Sequence, residues 1–231
     1  MKNLCTIGMR GGSKGVPNKN LRELNGKPLM AYTIEQALQS GLFEHVVVST
    51  DSERIADTAK IFGAEAWFLR PAELATDEAP KIPSIRHAFL ESEKYYGYPF
   101  DVLVDLDVTS PLRKVGDIKK AYKQFIDEDA DILITASLAR KNPYFNMIEQ
   151  INEHIQLVKQ LNKTIVRRQD APQVYDMNAS IYIWKRKALL DNETVFTDKT
   201  SLYIMPEERS IDIDTELDWN FVEFIVNKRK L

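Results

Sequence analysis

The sequence predicts an α/β protein with a mainly parallel sheet and helices on both faces. Two observations carry this. Short β-rich runs alternate with longer segments of helical period, the pattern of parallel strands joined by crossover helices. The runs VVVST (46–50) and DILITAS (131–137) are apolar almost throughout, as strands covered on both faces are.

In chain order, strands are expected at 4–8, 45–50, 66–69, 102–106 and 132–137, with helices at 29–40, 52–62, 82–96 and 116–127. STDSERIADTAKIFGAEA reads as strand, capped helix, glycine stop and strand. Ser52 or Asp51 can accept from the free amides of the first turn, with Glu53 beside the positive helix end. Asp51 could instead touch a ligand. From 142 to 176 the alternation fails in a long, aromatic, partly β-like segment, which suggests an arm packed on a partner subunit. NASIYIWKRKAL (178–189) returns to strand then helix, and SIDIDTELDWNFVEFIVNKRKL (210–231) ends in an amphipathic helix whose basic NKRKL end offsets the helix dipole. One domain spanning 1–231, with 142–176 as its arm, accounts for the whole chain.

Composition narrows the function. With 231 residues and 44% hydrophobic content, the chain can bury one substantial core. A net charge of −3 and a pI near 5.7 leave no broad cationic field for a nucleic-acid backbone, so no nucleic-acid partner is expected. Cys5 is the single cysteine, which rules out an intramolecular disulfide and a thiolate metal cluster. His45, His87 and His154 are widely separated and poorly suited to a zinc site or a histidine triad. No apolar stretch reaches the ~20 residues of a membrane span, and the first residues run straight into a strand pattern without a signal-like apolar region, so a cytoplasmic location is expected.

The chemistry concentrates in two stretches. MRGGSKGVPNKN (9–20) follows the first apolar run and sets Gly11, Gly12 and Gly15 among Arg10, Lys14, Lys19 and Asn20. Glycines let backbone amides approach an anion, and the basic side chains add charge-assisted hydrogen bonds. The Lys14-Gly15 order does not fit a P-loop, and no helix follows the glycines directly, as a dinucleotide fingerprint requires. A solvated, flexible turn is the plain alternative. In SIDIDTELDW (210–219), Asp212 and Asp214 are two apart, so an extended backbone points both to one face, where they can hold Mg²⁺ together with phosphate oxygens. Alternatively Asp214 caps the following helix. A nucleoside triphosphate needs both a basic loop and an acidic pair.

Together RGGSKGVPNKN, VVVSTDSERIADTAKIFGAE, LRPAELATD, TSPLR, NASIYI and SIDIDTELDW resemble, in order and spacing, the cytidylyltransferases that activate sialic acids. The likeness runs from Leu4 to Trp219. It implies a Rossmann-like nucleotidyltransferase that couples CTP to a 2-keto-3-deoxy sugar acid, yielding a CMP-sugar and pyrophosphate with Mg²⁺ as cofactor. It places Arg10, Gly12, Ser13, Lys14 and Lys19 on the triphosphate, and Asn20 and Arg70 near the nucleoside. Asp212 and Asp214 become metal ligands and, with Lys19, the catalytic set. Asp107, Ser110, Phe145, Arg168, Asp176 and Asn178 fall to the sugar. The resemblance also implies a homodimer whose arm brings Arg168 to the neighbouring site. No side chain stands out as a general base, and Asp214 is expected to assist deprotonation through the metal's water.

The departures concern the sugar. Asp107 stands where a sugar-contacting glutamine is usual, Phe145 where sialic acid enzymes carry lysine, and Asp176 where they carry arginine. These changes resemble a bacterial branch that activates legionaminic acid. N-acetylneuraminate is the alternative acceptor, and a non-catalytic nucleotide-binding regulator of the same fold is the alternative from another class.

Overall fold

The computed structural model describes residues 1–162 and 165–228; the last residues of the expected basic end, 229–231, lie outside the described residues. The chain runs β1 (Asn3–Gly8), β2 (Glu23–Leu24), β3 (Lys27–Pro28), α1 (Leu29–Ser40), β4 (His45–Ser49), α2 (Glu53–Ile61), α3 (Lys81–Tyr96), β5 (Val102–Leu106) and α4 (Val115–Asp127). It continues with β6 (Ile132–Leu138), β7 (Ile148–Ile151), β8 (His154–Leu157), β9 (Tyr175–Lys185), α5 (Arg186–Asp191), β10 (Thr200–Ile204) and α6 (Glu216–Lys228). The main sheet has the order β10-β6-β9-β5-β1-β4. Every neighbouring pair in it is parallel except those involving β9, which runs antiparallel between β5 and β6.

Side-chain alternation along the strands feeds two cores. Cys5, Ile7, Val48, Val104, Leu133 and Ile183 enter one cluster, with Met30 and Ile34 of α1 and Ile118 and Phe125 of α4. Leu4, Val47, Leu103, Ile132 and Trp184 enter the other, under Ile85 and Phe89 of α3. Neighbouring residues of one strand therefore line opposite layers, as the period of 2 requires.

Helix ends follow local chemistry. Ser52 accepts from the Ile55 amide at the start of α2, resolving the choice between Ser52 and Asp51 in favour of serine. Gly41 closes α1 in the left-handed region at φ 64°, where other residues are strained. One expected strand fails: 66–69 pairs with no strand, and only the residue before it, Glu65, makes an isolated bridge, to Val47. Trp67 stacks on Tyr95 of α3 at 4.3 Å between ring centroids, which draws the segment over the helix instead of along the sheet edge.

The segment 142–176 carries a hairpin of its own, β7 paired antiparallel with β8. Asn152 and Glu153 turn it with φ of 47° and 69°, the positive pair that tight hairpins use. Ile148, Ile151 and Ile155 are exposed on it. No helix among the described residues is long and apolar enough to cross a membrane.

Candidate active site

β1 delivers the chain to the glycine-rich loop at the carboxyl edge of the sheet, where α/β folds place ligands. The loop is not a loose turn. The Met9 amide bonds Ser49 O at 3.0 Å, continuing β1 alongside β4, and the Gly11 amide donates to Asp51 Oδ1 at 2.8 Å. Val16 is fully buried and plugs the loop into the core. Asp51 is thus not the helix cap: it fastens the loop.

The loop rests directly on the second stretch. A methyl group on Gly15 would lie 1.9 Å from the carbonyl oxygen of Asp214, so only glycine allows the two backbones this close. Lys19 Nζ donates to Ile213 O at 2.5 Å and lies 3.7 Å from Asp214 Oδ1. Arg22, just beyond the loop, forms a two-pronged contact with Glu216 at 2.7 and 2.8 Å. Residues nearly two hundred positions apart are therefore held as one wall.

Between them opens a cleft of about 230 Å³ lined by Gly8, Arg10, Ser13, Lys14, Gly15, Lys19, Asn20, Asp107, Thr109 and Asp214, among others. Most of the expected nucleotide residues meet there. Gly12 has open space around it, and Arg70 stands behind the end of β1, donating to Ser49 O at 2.7 Å and pressing on Gly8. Asn20 is buried and donates to Arg10 O at 2.9 Å, while its Oδ1 has no partner.

Asp212 and Asp214 flank the buried Ile213 on an extended segment. Asp214 is open to the cleft. Asp212 accepts from the Ser110 hydroxyl, and its carboxyl is pushed up from the usual range by burial and by the charges of Asp107 and Asp214, the Ser110 bond acting the other way. Asp214 is not the cap of α6, because Asp218 accepts from the amides of Asp214 and Thr215 at that end.

Five of the six residues expected on the sugar side line no part of this chain's cleft. Ser110 is fully buried and serves Asp212. Asn178 is buried, its Oδ1 accepting from Thr135 and from the Ser180 amide at 3.2 Å, so it braces the interior. Phe145, Arg168 and Asp176 lie on the arm segment and line no part of this chain's cleft; Arg168 donates to Ala139 O at 2.8 Å beside a separate groove. Asp107 does reach the cleft.

Four charged residues were not singled out from the sequence. Asp77, in the loop before α3, pairs with Arg10 at 2.5 Å and also with Lys14. Lys81 and Asp105 pack with Asp107. Arg113 is 2% exposed, donates to Ser180 O and Asp107 O, and has its pKa lowered to about 10 by burial. Asp77 and Arg113 sit in stretches that stood out, LRPAELATD and TSPLR, but residue type alone does not separate a ligand contact from a buried brace.

A family model described as Cytidylyltransferase matches residues 4–225. The chain belongs to the cytidylyltransferase family. This cytidylyltransferase is 50% identical over 228 residues to the CMP-N,N'-diacetyllegionaminic acid synthase of Campylobacter jejuni, covering 99% of this chain and 96% of the relative. A pseudaminic acid cytidylyltransferase of the same species is 34% identical, covering 97% and 96%. Among solved structures, a CMP:2-keto-3-deoxy-manno-octonic acid synthetase complexed with CTP matches with a TM-score of 0.70 at 16% identity, over 99% of this chain and all of that one. The cytidylyltransferase is a nucleotidyltransferase on the mixed α/β scaffold expected.

Proposed function

We propose that this cytidylyltransferase couples CTP to a nine-carbon 2-keto-3-deoxy sugar acid, legionaminic acid foremost, releasing pyrophosphate. The observation that carries the reading is the single cleft in which Arg10, Lys14 and Lys19 meet Asp214. The 50% identity to a diacetyllegionaminic acid synthase over nearly the whole chain supports the choice of sugar.

The acidic pair fits a hard divalent cation. Among the described residues no group of three or more carboxylate, histidine or cysteine donors forms, and Mg²⁺ typically takes one or two carboxylates and completes its shell with phosphate oxygens and water. When bound at Asp212 and Asp214, Mg²⁺ would supply positive charge beside the reacting phosphate.

The side chains supply the rest. The sugar's anomeric hydroxyl attacks the α-phosphorus in line, and charge gathers on the phosphoryl oxygens. Lys19, its side chain only 13% exposed and pinned by Ile213 O, needs no reorganisation to donate to them. Arg10 and Lys14 exchange the Asp77 carboxylate for triphosphate oxygens. Asn20 Oδ1, a buried acceptor without a donor, suits the amino group of cytosine, which uracil lacks.

Pyrophosphate release from CTP and Mg²⁺ with legionaminic, N-acetylneuraminic, pseudaminic acid and Kdo in parallel tests this. Legionaminic acid should give the highest kcat/KM. A higher value for another acid overturns the sugar assignment, and CTP binding without turnover favours the non-catalytic regulator.

A further inference from the structure

Lys81, the first residue of α3, carries an arrangement that triphosphate binding does not use. Its Nζ lies 2.9 Å from Asp107 Oδ2, 3.5 Å from Asp105 Oδ2 and 4.6 Å from the centre of the Tyr182 ring. Asp105 is 1% exposed, with Thr6 Oγ1 on its other oxygen at 2.8 Å. Asp107 Oδ1 accepts from the amide and the hydroxyl of Thr109, both at 2.9 Å. Each oxygen of Asp107 is thereby fixed, and the carboxylate is presented on the cleft wall in one orientation. Lys81 also lines an adjoining cavity of about 530 Å³, with Ile82, Pro83, Ile85, Tyr182 and Trp184 among its mostly apolar walls. The Lys81–Asp107 pair is the boundary between the two spaces.

An anionic wall is a poor neighbour for the substrates proposed above. Both CTP and the sugar acid are anions, and Asp107 faces them from a site with little water to screen its charge. An ammonium 2.9 Å away cancels that charge while leaving the carboxylate a fixed acceptor for a hydroxyl or amide N–H. Burial tends to raise the Asp107 carboxyl, but Lys81 and the Thr109 amide outweigh it and hold it down to about 2. Burial tends to lower the Lys81 ammonium, and Asp107 and Asp105 outweigh that and raise it. Both groups are therefore charged wherever the enzyme works.

We infer that Lys81 is a positioning residue for the acceptor: by holding and neutralising Asp107, it lets a carboxylate wall receive an acylated sugar acid. The inference rests on the acceptor reading above. Removing one member of such a pair leaves a charge without its partner, which costs more than the pair contributes when whole.

The test compares Lys81→Met, Lys81→Arg and the double variant Lys81→Met/Asp107→Asn, using steady-state KM for legionaminic acid, calorimetric Kd for CTP and thermal melting as a check on folding. Lys81→Met should raise the KM for the sugar acid roughly ten- to hundredfold while CTP Kd stays within about twofold. Lys81→Arg should recover most of the loss, and Asp107→Asn in the Lys81→Met background should recover about tenfold, because it removes the stranded charge. An unchanged sugar KM in Lys81→Met, parallel shifts in sugar KM and CTP Kd, or a double variant no better than Lys81→Met overturns the inference alone. No turnover by the unaltered enzyme with any nine-carbon acid overturns the acceptor reading and this inference with it.

Discussion

Replacing Gly15 with alanine tests the claim that the loop and the acidic segment form one clamp. The added carbon would sit 1.9 Å from Asp214 O and 3.1 Å from Asp214 C, both backbone atoms that no rotamer change can clear. Carbon and oxygen approach to about 3.3 Å in close contacts, so one wall must retreat by roughly 1.4 Å. That displacement separates Lys19 from Ile213 O and moves the basic loop away from Asp214. A misplacement of about 1 Å can cost a hundredfold in rate, so Gly15→Ala should lower kcat/KM for CTP by about a hundredfold, close to 2.7 kcal/mol of transition-state stabilisation. Stability should fall far less, by about 1 kcal/mol, since the overpacking is confined to the surface. Pyrophosphate release at subsaturating CTP measures the first quantity and thermal melting the second. A variant that keeps kcat/KM within about threefold would refute the clamp, because the contact would then have relaxed without disturbing the chemistry.

Four further outcomes follow from the same geometry. Asp77→Asn should tighten CTP binding by roughly two- to fivefold by freeing Arg10 and Lys14, and an unchanged or weaker Kd in calorimetry would show that Asp77 does not compete with the triphosphate. Asp214→Asn should cut kcat by roughly a hundredfold at saturating Mg²⁺, and a normal rate there would remove Asp214 from the chemistry. The Asp107 carboxyl is held at about 2 against an ordinary 3.8, so its stabilisation is complete above the ordinary value and is lost as pH falls toward 2. Asp107→Asn should therefore flatten the acid limb of stability between about pH 4 and pH 2 by about 2 kcal/mol, read from denaturant melts across that range. If the arm holds two copies together, as the resemblance implies, Ile155→Glu, at a residue 69% exposed on the hairpin, should sediment as a monomer where the unaltered protein sediments as a dimer; an unaltered protein that is monomeric and fully active would end the proposed role of Arg168 in trans.

The parts of this fold set by nearest-neighbour chemistry were legible from sequence. α1 was placed to the residue because its apolar spacing ends at a glycine that adopts φ 64°, and β5 because VLVDL is buried throughout. The failed strand at 66–69 shows the limit: AWFL has strand-like composition, and only the position of Tyr95, about thirty residues on, turns Trp67 aside. The central place and reversed direction of β9 depend on pairing with β5 and β6, which no run of residues records. In the site, Arg10, Lys14 and Lys19 were legible because glycines and cations cluster in one stretch. Asp77, Lys81 and Asp105 were not, since each is an ordinary charged residue until the fold brings it within reach of a partner. Ser110 and Asn178 were placed on the sugar because a polar side chain in a functional stretch looks alike whether it meets a ligand or braces the residue that does.

The reversed strand ties the arm to the acceptor wall by a fixed length of backbone. β9 begins at Tyr175, paired with Leu138 at the base of the arm, and along its length Ser180 O receives the Asp107 amide at 3.2 Å before Tyr182 passes beside Lys81. Between these points the pairing with β6 slips, from Leu133 opposite Ile183 to Thr135 opposite Asn178, and the surplus residues bow out where the wall is built. The hairpin beyond Tyr175 can lengthen, shorten or change its sequence without shifting Asp107, whereas a single residue inserted between Tyr175 and Tyr182 would re-register the wall itself. Relatives that prefer different sugars are thus free to differ in their arms and in the charges on the wall, but hardly in the span of chain that joins them.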